Sequence, residues 1–200
     1  MSEIATLVIG FFLGIVSKLV GDHLGRVAYE PKLEVDFRSN QSFVSRETLI
    51  DGNQKSYGWD VKIRVTNSGK RAAKNCRGFL VGFEQRDDSG KFQPIEGGED
   101  SLQLQWLPSI DVEQCEGFDM LPGVRRCLKV LSFDEGSRVF NLGTHWIPHK
   151  LVPYLKHPGV YRFTILVSAE EVEAKEVRLL FDWTDESRTP KIVLDAWQYG

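Results

Sequence analysis

The residues whose types and spacing could do chemistry are three histidines in one short stretch, His145, His149 and His157. Imidazole titrates near neutral pH and is the commonest metal ligand, so such a group suggests proton transfer or a zinc site. Zinc needs three or four ligands converging tetrahedrally. The i, i+4 spacing of His145 and His149 brings two imidazoles together only on a helix. Pro148 lies between them and more prolines and glycines follow, which disfavours a continuous helix. The expectation is an irregular loop with solvated histidines, and neither a metal nor another cofactor.

The remaining reactive types point the same way. The acidic pairs Asp87-Asp88 and Glu99-Asp100 lack the spacing of a calcium loop and read as solvated turns. Three cysteines, Cys76, Cys115 and Cys127, form no CxxC pair, which speaks against a thiolate zinc site or a disulfide framework. Each sits in or beside an apolar stretch, so all three read as buried thiols in a reducing compartment. No nucleophile elbow, phosphate-cradling loop, zinc-protease helix or dinucleotide fingerprint occurs. No catalytic residue is assigned, and the chain is not expected to be an enzyme. A net charge of −3 and a pI of about 5.9 do not suit a duplex-binding surface, so nucleic acid is not an expected partner.

The histidine segment carries a second signal. Trp146, Ile147, Leu151, Val152, Tyr154 and Leu155 crowd six large apolar side chains between prolines. Left exposed, they would form a surface for a protein partner. Folded back, they would instead cover an end of the domain.

The elements that must position this segment are strands. Beyond Pro31 the apolar pattern alternates with period two. Leu33, Val35 and Phe37 form one run, and Trp59, Val61, Ile63 and Val65 a second. Leu102, Leu104 and Trp106 follow, then Tyr161, Phe163, Ile165 and Val167, then Val177, Leu179, Phe181 and Trp183. Shorter apolar runs at 79–83, 127–133 and 191–194 complete the set. Turn chemistry at Asn67-Ser68-Gly69, Asp88-Ser89-Gly90, Gly97-Gly98, Pro122-Gly123 and Pro158-Gly159 separates them. The expected fold is all-β, an antiparallel sandwich of two sheets over residues 29–200. Asn67 and Gly69 are expected to take positive φ in a tight connection. Tyr161 stands where sandwiches place a corner tyrosine whose hydroxyl bonds backbone.

Residues 1–28 read differently. From Ile4 to Ser17 no charge occurs, and with Lys18 snorkelling the stretch runs to Gly21. That is about 27 Å of helix, near the thickness of a hydrocarbon core. The expectation is a single transmembrane helix with a juxtamembrane segment. Gly10, Gly14, Ser17, Gly21 and Gly25 fall on one face, so close helix packing and a homo-oligomer are expected. Glu3 precedes the helix, whereas Lys18, Arg26, Lys32 and Arg38 follow it, which places the β domain in the cytoplasm.

One hairpin carries a family resemblance. The stretch Val61-Lys-Ile-Arg-Val-Thr-Asn67-Ser-Gly69-Lys-Arg-Ala-Ala73-Lys-Asn75-Cys76 is similar to the V-x-N-x-G-x-x-x-A-x-N-V hairpin of prokaryotic immunoglobulin-like domains of the bacterial cell-adhesion-related type. Leu121-Pro122-Gly123 leading to Val130, and Pro158-Gly159-Val-Tyr161, resemble later pieces of that pattern. The resemblance spans residues 31–195, with insertions around 86–101 and 132–158, and implies an immunoglobulin-like sandwich. It implies no activity, because such folds host many. Most of that family is extracytoplasmic, which pulls against the charge-based topology. Three function classes follow. The first is a membrane-anchored, non-catalytic interaction module. The second is an oligomeric membrane effector or pore component whose β domain senses a ligand. The third is an enzyme built on the histidine loop.

Overall fold

Alternating side chains force a strand to turn one face inward and the other to water, and two such sheets must close on each other. The computed structural model describes residues 17–18, 30–38, 44–51, 54–107, 117–136, 138–184 and 191–195. In chain order the strands are β1 (Leu33–Asp36), β2 (Val44–Asp51), β3 (Gln54–Asn67), β4 (Ala73–Arg86), β5 (Phe92–Pro94), β6 (Leu102–Gln103) and β7 (Trp106–Leu107). They continue as β8 (Phe118–Met120), β9 (Arg125–Asp134), β10 (Val139–Leu142), β11 (Gly159–Glu170), β12 (Val172–Trp183) and β13 (Lys191–Leu194). All pairings are antiparallel and fall into two sheets, which makes the domain an all-β sandwich.

Each sheet is built on long central strands whose edges are covered piecemeal. In the first, β1 and β2 lie end to end along β3, while β10 and β7 lie end to end along the far side of β9. In the second, the order runs β13-β12-β11-β4, and β8, β6 and β5 share the outer edge of β4. Broken edges deny a second chain a long row of unpaired backbone groups. The run from Leu102 to Trp106, expected as one strand, changes sheet. Its first residues pair with β4, Leu104 bridges to Thr144, and its last residues pair with β9. Leu102, Leu104 and Trp106 are all buried, so the crossing closes one side of the core.

The core is heavily aromatic. Phe83 stacks on Phe163 at 5.0 Å between centroids, and Phe140 meets Phe181 edge-on at 5.1 Å. Trp183 packs on Phe133 at 5.2 Å. Burying each such ring contributes about 1.5–3 kcal/mol, and each pair about 0.5–1.5 kcal/mol more.

Asn67 ends β3 fully buried, and its carboxamide uses all four hydrogen-bonding positions. Its Oδ1 accepts from Lys32 N at 3.2 Å and Gly69 N at 3.0 Å. Its Nδ2 donates to Arg71 O at 2.7 Å and Met120 O at 2.8 Å. Neither Asn67 nor Gly69 takes positive φ, contrary to expectation. Gly69 is required by closeness instead, because a Cβ there would sit 2.4 Å from Glu30 O and 2.5 Å from Lys32 N. The left-handed residue of the hairpin motif is Asn75, at φ 52°, a conformation asparagine tolerates better than most.

Among the described residues no helix is long and apolar enough to cross a membrane. The expected helix seam of Gly10, Gly14, Gly21 and Gly25 lies outside those residues. Ser17, its remaining member, is helical and exposed together with Lys18. Replacing Asn67 by Ala would remove four side-chain hydrogen bonds, one buried and three part-buried, at roughly 1 kcal/mol each and more for the buried one. Asn67→Ala should therefore lose on the order of 4 kcal/mol in chemical denaturation, a loss reserved for broken buried networks.

Candidate functional site

The histidine segment begins where β10 ends. Gly143 lies so close to β9 that a Cβ would stand 2.2 Å from Lys129 O. Its N–H bonds Val130 O at 2.7 Å, and its carbonyl accepts from Gln105 N at 2.8 Å. Thr144 then donates its hydroxyl to Trp146 O at 3.0 Å. From Pro148 the chain runs in overlapping turns, with Leu151 N on Pro148 O, Val152 N on His149 O and Tyr154 N on Leu151 O. A single 3-10 turn, Tyr154–Lys156, delivers it to β11.

Burial divides the apolar residues of this segment sharply. Leu151 and Leu155 are in the core, while Ile147 and Tyr154 are packed against it. Val152 is half-buried. Trp146 stands apart, 65% exposed. Most of the expected partner surface has folded back onto the sandwich, and one large aromatic side chain remains outside. It projects from a loop held before it by the Gly143 hydrogen bonds and the Thr144 bridge to Leu104, and after it by Lys150 on Glu96 and by Gly97 beneath Lys150 and Leu151.

Tyr161 fixes the far end of the loop. Its ring is fully buried against Phe83 and Phe140, and its hydroxyl reaches His157 O at 2.7 Å and Tyr154 O at 3.1 Å. Burial pushes the phenol up to about 12, with the neighbouring Tyr154 adding to the effect.

The histidines do not converge. The His145 Nδ1 lies 3.1 Å from Gln105 Nε2, His149 is exposed, and His157 contributes its carbonyl to Tyr161. Among the described residues no group of three or more His, Cys, Asp or Glu could hold a metal. Cys76 is buried, and desolvation pushes its thiol up to about 11, so it stays protonated at neutral pH. Cys127 is half-buried, and Cys115 lies outside the described residues. Asp87 organises its own turn, accepting from Ser89 Oγ, Lys91 N and Gln93 Nε2. Those bonds, led by Ser89, lower its carboxyl to about 2.

Sequence reasoning missed a polar cleft at the other end of the sandwich. Glu30, Pro31, Arg71 and Glu171 line a space of about 500 Å³. Glu30 and Pro31 lead into β1, Arg71 sits in the β3–β4 turn, and Glu171 turns β11 into β12 at φ 58°. Three segments far apart in sequence meet there, so no local spacing could have signalled it. A second charged cluster lies on the outer face of the second sheet. Arg162 pairs bidentately with Glu84, approaches Asp195 at 3.7 Å and stacks over Phe92 at 4.3 Å. Its partners are all in place, and its effect is to fasten the end of β13 and the strand β5 onto the sheet.

Tyr161→Phe would take the hydroxyl donor from His157 O and leave Tyr154 O only the bond from His157 N at 3.3 Å, and should cost about 1–2 kcal/mol in denaturant unfolding. The pH dependence has a definite sign. A phenol held neutral by the fold contributes stability below its free pKa near 10, and that stability is lost as pH rises toward 12. The unmodified protein should therefore lose stability between those values more steeply than Tyr161→Phe, as read by chemical denaturation across that range.

No family model matches the chain, and no curated protein matches it. Among solved structures, the X-ray structure of Northeast Structural Genomics Consortium target SoR45 is similar at 13% identity. The alignment covers 84% of this chain and 89% of that chain, with a TM-score of 0.28. At that TM-score the likeness carries no weight for fold or function.

Proposed function

We propose that the chain is a membrane-anchored, non-catalytic interaction module. An N-terminal helix holds an immunoglobulin-like sandwich at the inner membrane face, where the Trp146 loop engages a protein partner. The observation that carries the reading is the state of that loop. Its neighbours are buried or hydrogen-bonded while Trp146 is left in water. A large aromatic on a pre-ordered loop loses little entropy on binding and is the residue type most often found at interface hot spots. Among the described residues the histidines form no metal-holding group, so the histidine loop lends the enzyme reading no metal site.

Supporting the immunoglobulin-like assignment are the two antiparallel sheets and the Tyr161 hydroxyl bonded to backbone four residues upstream. The glycine seam supports a homo-oligomer, and the Lys and Arg bias after the helix supports a cytoplasmic domain. The polar cleft favours a second reading, an oligomeric effector or pore component whose β domain senses a small ligand between Arg71 and the two glutamates.

Two measurements separate these readings. The full chain should stay in the membrane pellet after an alkaline carbonate wash, and its appearance in the supernatant would remove the anchor. A photo-crosslinking side chain at the exposed His149, on the same loop, should capture one defined protein in cells, and one at Ser89 should not. Trp146→Ala should abolish association with that partner while changing stability by less than about 0.5 kcal/mol, as expected for an exposed site. Capture unaffected by Trp146→Ala but lost on Arg71→Ala would favour the sensor.

A further inference from the structure

Among the described residues the large hydrophobic side chains left exposed are Tyr57, Leu121, Trp146, Val193 and Leu194. The last two are neighbours on β13, the outermost strand of the second sheet. β13 pairs with β12 on one side, with Lys191 opposite Asp182, Val193 opposite Leu180 and Leu194 opposite Leu179. Asp195 N bonds Arg178 O at 2.9 Å, which fixes the alternation of that ladder. Lys191, Val193 and Asp195 therefore turn their backbone groups toward β12, whereas Ile192 and Leu194 turn theirs outward. Among the described residues no backbone group meets those outward N–H and C=O groups. The strand is also held in place, because Arg162 reaches Asp195 from β11. A fixed edge with apolar side chains beside unpaired backbone is a template for another strand.

We infer that β13 pairs antiparallel with the β13 of a second copy of this chain, about a two-fold axis at Val193, so that the second sheets of two domains become one. The contact is separate from the Trp146 loop and needs no membrane helix. Charge selects this occupant, because Lys191-Ile192-Val193-Leu194-Asp195 is self-complementary in that register. Ile192 stands opposite Leu194 of the second copy, and their outward groups exchange N–H···O bonds on both sides of the axis. Val193 meets Val193, which continues the apolar row of Leu180 and Val193 across the seam. At each end of the seam Lys191 falls opposite Asp195 of the second copy. With their neighbours on the two β12 strands the row reads Asp182, Lys191, Asp195, Arg178, alternating in sign throughout. Arg178 keeps its own pair with Glu176, and Asp195, whose Oδ2 has no hydrogen bond within the chain, gains a second cation beside Arg162. Parallel, in-register pairing would instead set lysine against lysine and aspartate against aspartate, and like charges directly opposite destabilise a sheet. Any extended peptide could take the backbone bonds, but the alternating charges are matched by this chain's own strand. The contact closes on itself as a two-fold dimer and leaves no further edge for a third copy.

The test is disulfide trapping in the full chain, purified in mild detergent, with the unsubstituted protein as the background for its native cysteines. Residues opposed at the two-fold axis lie about 4.5 Å apart between Cα atoms, within disulfide reach. Val193→Cys should give covalent dimer under mild oxidation several-fold above that background. Lys191→Cys should not, since the two copies of position 191 lie four residues apart along the seam, about 13 Å. Ser89→Cys, in the Asp87–Gly90 turn, reports chance collision and should also stay at background. In the unsubstituted protein, hydrogen exchange at the Leu194 amide should slow several-fold as protein concentration rises. Val193→Glu, at an exposed position, sets two carboxylates against each other at the axis and should abolish that dependence. Equal trapping at 191 and 193 means parallel strands and overturns the register. A Val193→Cys thiol that reacts freely with maleimide yet gives no dimer above background leaves the edge open and overturns the pairing. One that neither reacts nor crosslinks is covered by its own chain, which overturns a second copy as the occupant.

Discussion

The domain is organised around one carboxamide. Asn67 links the chain segment arriving at β1, its own β3–β4 turn and the end of β8, reinforcing the point where the Leu33–Asn67 and Ala73–Met120 pairings end. Its backbone adds the β8–β9 turn. A buried polar group is tolerable only when every hydrogen bond is made, and here the four bonds span three segments. The side chain therefore acts as a coincidence detector: it is satisfied only when all these segments are in register. The other motif positions follow from it. Gly69 must lack a Cβ because the chain at Glu30 and Lys32 is drawn against it, and Ala73 is fully buried one residue into β4's climb away from the turn.

From that anchored end, β3, β4, β11 and β12 run the length of the sandwich as long continuous strands. Everything paired to their outer edges is short, so specificity resides in a few long registers. The ends consequently differ. At the Asn67 end the turns are tight and polar. Away from it, the aromatic cluster of Phe83, Phe140, Tyr161 and Phe181 fills the core. The Trp146 loop descends over that aromatic region, which is why its leucines are buried and only Trp146 escapes.

Much of this was legible because period-two alternation is a strong local signal wherever one face is buried. The Trp59–Val65, Tyr161–Val167 and Val177–Trp183 runs correspond to β3, β11 and β12. Val44–Asp51 was not legible: its residues do not alternate, and β2 exists because β3 offers a long backbone edge for it. The run at Leu102 was read as one strand because alternation records which side chains face the core, not which sheet supplies the hydrogen bonds. The positive φ expected at Asn67 and Gly69 went elsewhere because composition cannot distinguish a left-handed glycine from one under steric pressure. The proline-rich character of the histidine segment did forecast an irregular loop. The cleft was invisible, since Glu30, Arg71 and Glu171 become neighbours only through the fold.

The separation of the two ends bears on how such a module would work. The Asn67 end carries Glu30, Arg71 and Leu121, while Trp146 stands on a loop leading toward the opposite end. A rigid sandwich between them carries few soft joints, because the long strands are continuous and their core is close-packed. A load or tilt imposed at the anchored end would thus be transmitted as rigid-body motion of Trp146, not as a local rearrangement.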